Sequence, residues 1–139
     1  MQTFMPHDSY RESARALDYR RLGKQRVECK QILNVLTGQS AGWANHPAVK
    51  MWRGHTSQLV LYAIDVCTEW RSRGYRDSLL PWFTDQLEVL PVAEAPSWMG
   101  YTEFHRSHRS NLTRKDVNFY GPKWPDVPAD LPYIWPNSR

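Results

Sequence analysis

Leu59-Val60-Leu61-Tyr62-Ala63-Ile64-Asp65-Val66-Cys67-Thr68-Glu69-Trp70-Arg71-Ser72-Arg73-Gly74 carries the pattern that sets the fold class. Leu59, Tyr62, Ala63, Val66, Cys67 and Trp70 recur three, four and seven positions apart, so on a helix they line up as one apolar stripe. Gly74 suits a C-terminal stop, and Arg71 and Arg73 complement the negative end of the helix dipole. No stretch alternates as a half-buried strand does, and there is no internal repeat or low-complexity run. The chain is predicted to be all-α.

Upstream, Asp8 or Ser9 suits an N-cap, with Glu12 near the position a capping box uses. A helix is predicted from there through Ala14, Leu17 and Tyr19. It continues or kinks at Gly23, resumes through Val27, Ile32, Leu33 and Leu36, and stops near Gly38. Residues 38–46 form a loop, and Pro47 suits the first turn of a new helix. Downstream, Pro81, Pro91 and Pro96 break 78–100 into irregular pieces. A further helix is expected from about Thr102 to Lys115. From Asp116 onward prolines alternate with Phe119, Tyr120, Trp124, Tyr133, Ile134 and Trp135, which is too apolar a composition for a disordered tail. The expected architecture is one domain over 1–139, with three to four main helices and an extended aromatic, Pro-rich C-terminal segment laid over them.

A length of 139 residues allows one well-buried core. The formal charge of +4 is a modest pointer to nucleic acid, and its distribution is a stronger one. Basic residues gather in 20–30 and again in 105–115, where Arg106, Arg109, Arg114 and Lys115 stand with no acid among them. The two cysteines, Cys29 and Cys67, have apolar neighbours and read as buried free thiols, which suits a reducing cytoplasm. The N-terminus lacks a signal-peptide pattern, and no apolar run approaches the roughly 18 residues of a membrane span.

Arg20, Arg21, Lys24 and Arg26 fall within seven consecutive positions. Arg20–Lys24 and Arg26–Lys30 are like charges at i,i+4, which disfavours a helix by a few tenths of a kcal/mol each. A phosphate backbone laid across them would offset that repulsion. Arg21, Lys24 and Glu28 share one helix face. In a second candidate segment, 46–55, Trp52, Arg53 and His55 bring a stacking ring, a planar cation and a titratable ring together. Five histidines raise a metal hypothesis, and a metal-dependent nuclease is a third reading. Against it, Arg106 and Arg109 flank His105 and His108, and no Cys or Asp pair has ligand spacing. No metal and no cofactor are expected.

Three features together resemble the pyrimidine-dimer DNA glycosylases of the phage and viral endonuclease V type. Tyr19-Arg20-Arg21-Leu22-Gly23-Lys24 is similar to that family's Tyr-Arg-Glu-Leu-Pro-Arg on its first helix. Glu69-Trp70-Arg71-Ser72-Arg73-Gly74-Tyr75 is similar to its helix closing on Arg-Gly-Phe, and the basic helix before Phe119-Tyr120-Gly121 is similar to its C-terminal part. The resemblance implies a helical protein that flips a nucleotide out of damaged duplex DNA. There a terminal amine attacks the sugar's anomeric carbon, and the resulting imine permits strand cleavage without a metal. In this register Arg21 stands where the family has its glutamate, so Glu28 or Asp18 is expected to supply the carboxylate. Gln2 after Met1 disfavours trimming, so the amine is expected to be that of Met1, with Thr3 two residues inside and Lys24 as an alternative nucleophile. Arg20, Arg21, Arg26, Trp52, Arg53, His55, Arg106, His108, Arg109 and Lys115 are expected to contact DNA. The expected partner is double-stranded DNA carrying a damaged or modified pyrimidine, bound by a monomer, with no membrane. The alternative is a catalytically inactive DNA- or RNA-binding module on the same fold.

Overall fold

The computed structural model describes residues 1–136, and within them every regular element is a helix. They are α1 (Tyr10–Ala16), α2 (Tyr19–Leu36), α3 (Pro47–Lys50), α4 (Thr56–Ser72), α5 (Leu79–Val89), α6 (Thr102–Lys115) and α7 (Val117–Tyr120). The last three residues of the C-terminal segment read above lie outside the described ones.

The amphipathic helix is central: α4 packs against α1, α2 and α5. Leu59, Tyr62, Ala63, Val66 and Cys67 of its stripe are fully buried. Gly74 has φ of +92°, a conformation that favours glycine, one residue beyond the cap at Arg73. Cys29 and Cys67 are buried free thiols. Burial pushes the Cys67 thiol up to about 12 and Cys29 well above its usual range, so both stay protonated and unreactive.

Of the two alternatives at Gly23, the helix continues; the break lies earlier in the chain. Ser9 caps α1 through its side chain, and the chain then breaks at Leu17, where Asp18 caps α2 by accepting from the Arg21 amide. From there α2 runs unbroken through Gly23. An ideal Cβ on Gly23 would lie 2.8 Å from the Trp70 ring, so the missing side chain makes room for an indole of the neighbouring helix. That indole is held elsewhere: its Nε1 donates to the Arg76 carbonyl at 2.7 Å, and its ring stacks on Tyr75 at 4.2 Å.

The irregular stretch expected at 78–100 contains α5. Pro81 occupies the first turn of that helix, where an amide hydrogen has no helical acceptor and its loss costs little. After α7 the chain lies along α6. The Leu131 amide donates to Ser110 Oγ, Asn111 Nδ2 donates to the Leu131 carbonyl, and Arg114 donates to the Ala129 carbonyl. Among the described residues no helix is long and apolar enough to cross a membrane.

Two predictions concern stability. Gly23→Ala gains about 1 kcal/mol of helix propensity, yet must displace a pinned ring. A net loss of about 1–2 kcal/mol in urea unfolding is expected, within the range for overpacked cores. The second rests on His105 and His108, which are buried and neutral in the fold. Burial lowers both, taking His108 down to about 3. The unfolded chain binds these protons near pH 6.5 while the folded chain does not. Stability is therefore full above that pH and declines below it, with a slope approaching ~1.4 kcal/mol per pH unit from His108 and a further contribution of the same sign from His105. Denaturation midpoints measured from pH 7 to pH 5 should fall monotonically.

Candidate active site

Residues 2–5 form no helix, so their peptide groups need partners from elsewhere, and buried side chains supply them. Gln25 of α2 is the chief one. Its Oε1 accepts from the Phe4 amide at 2.7 Å, and its Nε2 donates to the Gln2 carbonyl at 2.6 Å. Tyr62 of α4 donates its hydroxyl to the Phe4 carbonyl at 2.6 Å. The Met5 amide donates to His108 Nδ1 at 3.0 Å, and His105 Nδ1 meets the Met5 carbonyl at 2.9 Å. The Gly100 amide donates to His105 Nε2, so the proton of that ring sits on Nδ1 and points at Met5. The proton of His108 sits correspondingly on Nε2, which has no hydrogen-bond partner among the described residues and lies among the rings of Phe104 and Tyr133.

This seating brings the start of the chain onto α2 beside Glu28. The carboxylate is 5 % exposed. Its Oε2 accepts from the Gln2 amide at 2.9 Å and lies 3.6 Å from the Met1 amine. Above them opens a cavity of about 470 Å³ walled by Arg20, Arg21 and Lys24 of α2, Lys115 at the end of α6, and Tyr133 of the C-terminal segment. A primary amine and a carboxylate on the floor, with a cationic wall, suit a substrate that is anionic outside and electrophilic at the point of insertion.

Of the residues singled out in the sequence, Met1, Arg20, Arg21, Lys24, Glu28 and Lys115 therefore meet at one cavity. The others do not reach it. Thr3 is buried, its hydroxyl accepting from Trp52 Nε1 at 3.0 Å. Trp52, expected to offer a stacking face, is 0 % exposed and packs on Tyr62 and Trp98. Asp18 is spent on capping α2 and on Tyr120, whose hydroxyl donates to it. Burial works against its charged form, but the Tyr120 and Arg21 hydrogen bonds hold Asp18 below the usual carboxylate range. Arg26 is committed to Asp77 at 2.7 Å and lies over the Trp70 ring. His108 is 0 % exposed and faces the core.

Arg109 donates to the Pro6 carbonyl at 2.7 Å, Arg53 to the Ala44 carbonyl at 2.9 Å, and His55 Nδ1 lies 2.8 Å from the Glu94 carbonyl. Arg106 stands part-exposed on α6, outside the cavity wall. Among the described residues no group of three or more His, Cys, Asp or Glu is placed to hold a metal ion.

Gln25 and Tyr133 were not foreseen. Gln25 sits one turn before Glu28 on the same buried side of α2, a neutral polar residue with no charge to draw attention to it. Tyr133 belongs to a tail whose aromatic content predicts contact but not with what. Burial raises the Tyr133 phenol above its ordinary range, which keeps it neutral beside the cations.

The site thus joins an all-helical fold to an amine–carboxylate pair beneath a cavity walled by four cationic side chains. A family model described as pyrimidine dimer DNA glycosylase matches residues 1–80, more than half of the chain, and the chain belongs to that family. Membership gives it the general character of a DNA-repair glycosylase that binds DNA. The matched part holds Met1, Gln25 and Glu28, whereas Lys115 and Tyr133 lie beyond it. No curated protein and no solved structure matches the chain.

Proposed function

We propose that the cavity excises a damaged or modified pyrimidine from double-stranded DNA by amine chemistry, with Met1 as nucleophile and Glu28 as the acid/base group. The observation that carries this reading is the Met1 amine 3.6 Å from the Glu28 carboxylate on the floor of the cationic cavity. α-Amines are weaker bases than lysine side chains, so a larger fraction is neutral near physiological pH. A carboxylate in contact takes the proton the amine must lose.

The steps balance without a cofactor or metal. The amine nitrogen bonds to C1′ as the C1′–N glycosidic bond breaks, its electron pair leaving with the base, which takes up a proton. A second proton leaves the nitrogen side as C1′–O4′ opens and O4′ is protonated, giving an imine. Removal of a C2′ proton then expels the 3′ phosphate by breaking C3′–O. Glu28 is the group in reach to accept and return these protons. Arg20, Arg21 and Lys115 hold the phosphates around the everted nucleotide. Everting it costs a few kcal/mol, least where pairing is already damaged. Lys24 lines the same cavity and is the competing amine.

Borohydride trapping on duplexes with an abasic site or a pyrimidine dimer tests this. A covalent adduct is expected, mapping to the peptide that contains Met1 and unaffected by excess chelator. Glu28→Gln should slow trapping by about 10²–10⁴-fold, the usual contribution of a general acid or base, with duplex affinity little changed. Lys24→Ala should still trap. An adduct that disappears in Lys24→Ala would move the nucleophile to Lys24. Salt-sensitive binding with no adduct on either duplex would remove the amine chemistry and leave a binding module or a glycosylase that uses water as its nucleophile.

A further inference from the structure

Beside the cavity, five side chains form one continuous stack on the surface. The Arg20 guanidinium lies 5.7 Å from the Tyr19 ring centroid, and Tyr19 stacks on Tyr75 at 6.3 Å. Tyr75 stacks on Trp70 at 4.2 Å, and Arg26 closes the far side of Trp70 at 5.2 Å. The stack is anchored from within. Arg26 and Arg71 both bind Asp77, whose side chain is buried, and the Trp70 indole donates to the Arg76 carbonyl. Its outer members remain open to solvent: Tyr19 is 50 % and Tyr75 41 % exposed.

Arg20 belongs at once to this stack and to the cavity wall. At the other end a second depression, of about 600 Å³, is bordered by Tyr75, Arg76 and Ser78. Arg76 is exposed, and its side chain has no hydrogen-bond or ion-pair partner among the described residues. The carboxylate next to it, Asp77, is already neutralised by two arginines. The Tyr19 hydroxyl accepts from Arg20 Nε, so its own proton is free to donate. A positive field thus continues outward from the cavity along a rigid platform with hydroxyl donors. Preorganised groups lose little freedom on binding, and hydroxyls and arginines are the usual partners of phosphate oxygens.

We propose that Tyr19, Tyr75 and Arg76 form a second contact surface for duplex DNA, one that grips the sugar–phosphate backbone of the flank on one side of the lesion. It rests on the reading of the neighbouring cavity as the place where DNA is held, and it extends the footprint of the protein asymmetrically. Arg76 is the residue that reports on it, because its side chain supports nothing in the fold.

The test measures binding to three duplexes carrying a stable abasic analogue: one with the analogue at the centre, and two with the flank cut short on one side or the other. Arg76→Ala should weaken binding to the central duplex and to one shortened duplex three- to tenfold, on the order of one lost phosphate contact. The slope of log affinity against log salt should fall by about 1. The other shortened duplex, which lacks that flank, should bind variant and wild type alike, and Arg76→Lys should recover most of the loss. Wild-type affinity of Arg76→Ala on all three duplexes would overturn the proposal, as would an equal loss on all three. Borohydride trapping by the wild type keeps the two readings apart. A flank-dependent loss without any adduct would retain this surface and remove the amine chemistry.

Discussion

Everything at the candidate site depends on an extended segment that has no secondary structure of its own. Residues 2–5 lie in the interior, where an unpaired amide or carbonyl costs about 1–3 kcal/mol, and their hydrogen bonds go to side chains of Gln25, Glu28, Tyr62, His105 and His108. Such a set is stable only if nearly every member is satisfied. Among the described residues Nε2 of His108 has no hydrogen-bond partner and rests instead among aromatic rings. The reward is positional. The amine at the head of the segment is set beside a carboxylate with the accuracy of a core residue.

The cations of α2 divide into two kinds, and the division follows burial. Arg26 points inward to Asp77 and Trp70, where it organises the turn between α4 and α5. Arg20 and Lys24 line the cavity, and neither has a carboxylate partner among the described residues. Arg21 stands between, tied to Asp18 at 3.1 Å yet lining the cavity. A basic run that looks uniform in sequence is therefore part scaffold and part surface. The net charge of +4 understates how strongly one side of the molecule attracts a polyanion.

Much of the fold was legible because it is written in local patterns. The stripe on α4, the cap at Ser9, the stop at Gly74 and the span of α6 all follow from periodicity and terminal residues. Helix α5 was missed because Pro81 reads as a breaker unless its place in the first turn is known. The break before α2 was missed although Asp18 is a good cap, because nothing local says that the preceding helix ends at Ala16. At the site, Glu28 stood out as the lone acid following a cationic run. The destinations of Arg26, Trp52 and His108 were not legible, since each is decided by a partner far along the chain: Asp77, Thr3 and Met5. Gln25 illustrates the same limit, for a neutral amide gives no sign in sequence of whether it faces water or a buried backbone.

The clamp on Met5 also has a temporal meaning. Its two histidines lie 100 and 103 positions further on, and Tyr133, one wall of the cavity, comes later still. During synthesis residues 2–5 leave the ribosome well before these partners, and they gain their last anchors only when α6 and the strap that follows it have been made. Contacts of such long range are slow to close. The region that α1, α2 and α4 can assemble early is a scaffold with an unfinished pocket, so a nascent chain completes its amine–carboxylate site only after α6 and the strap have been made.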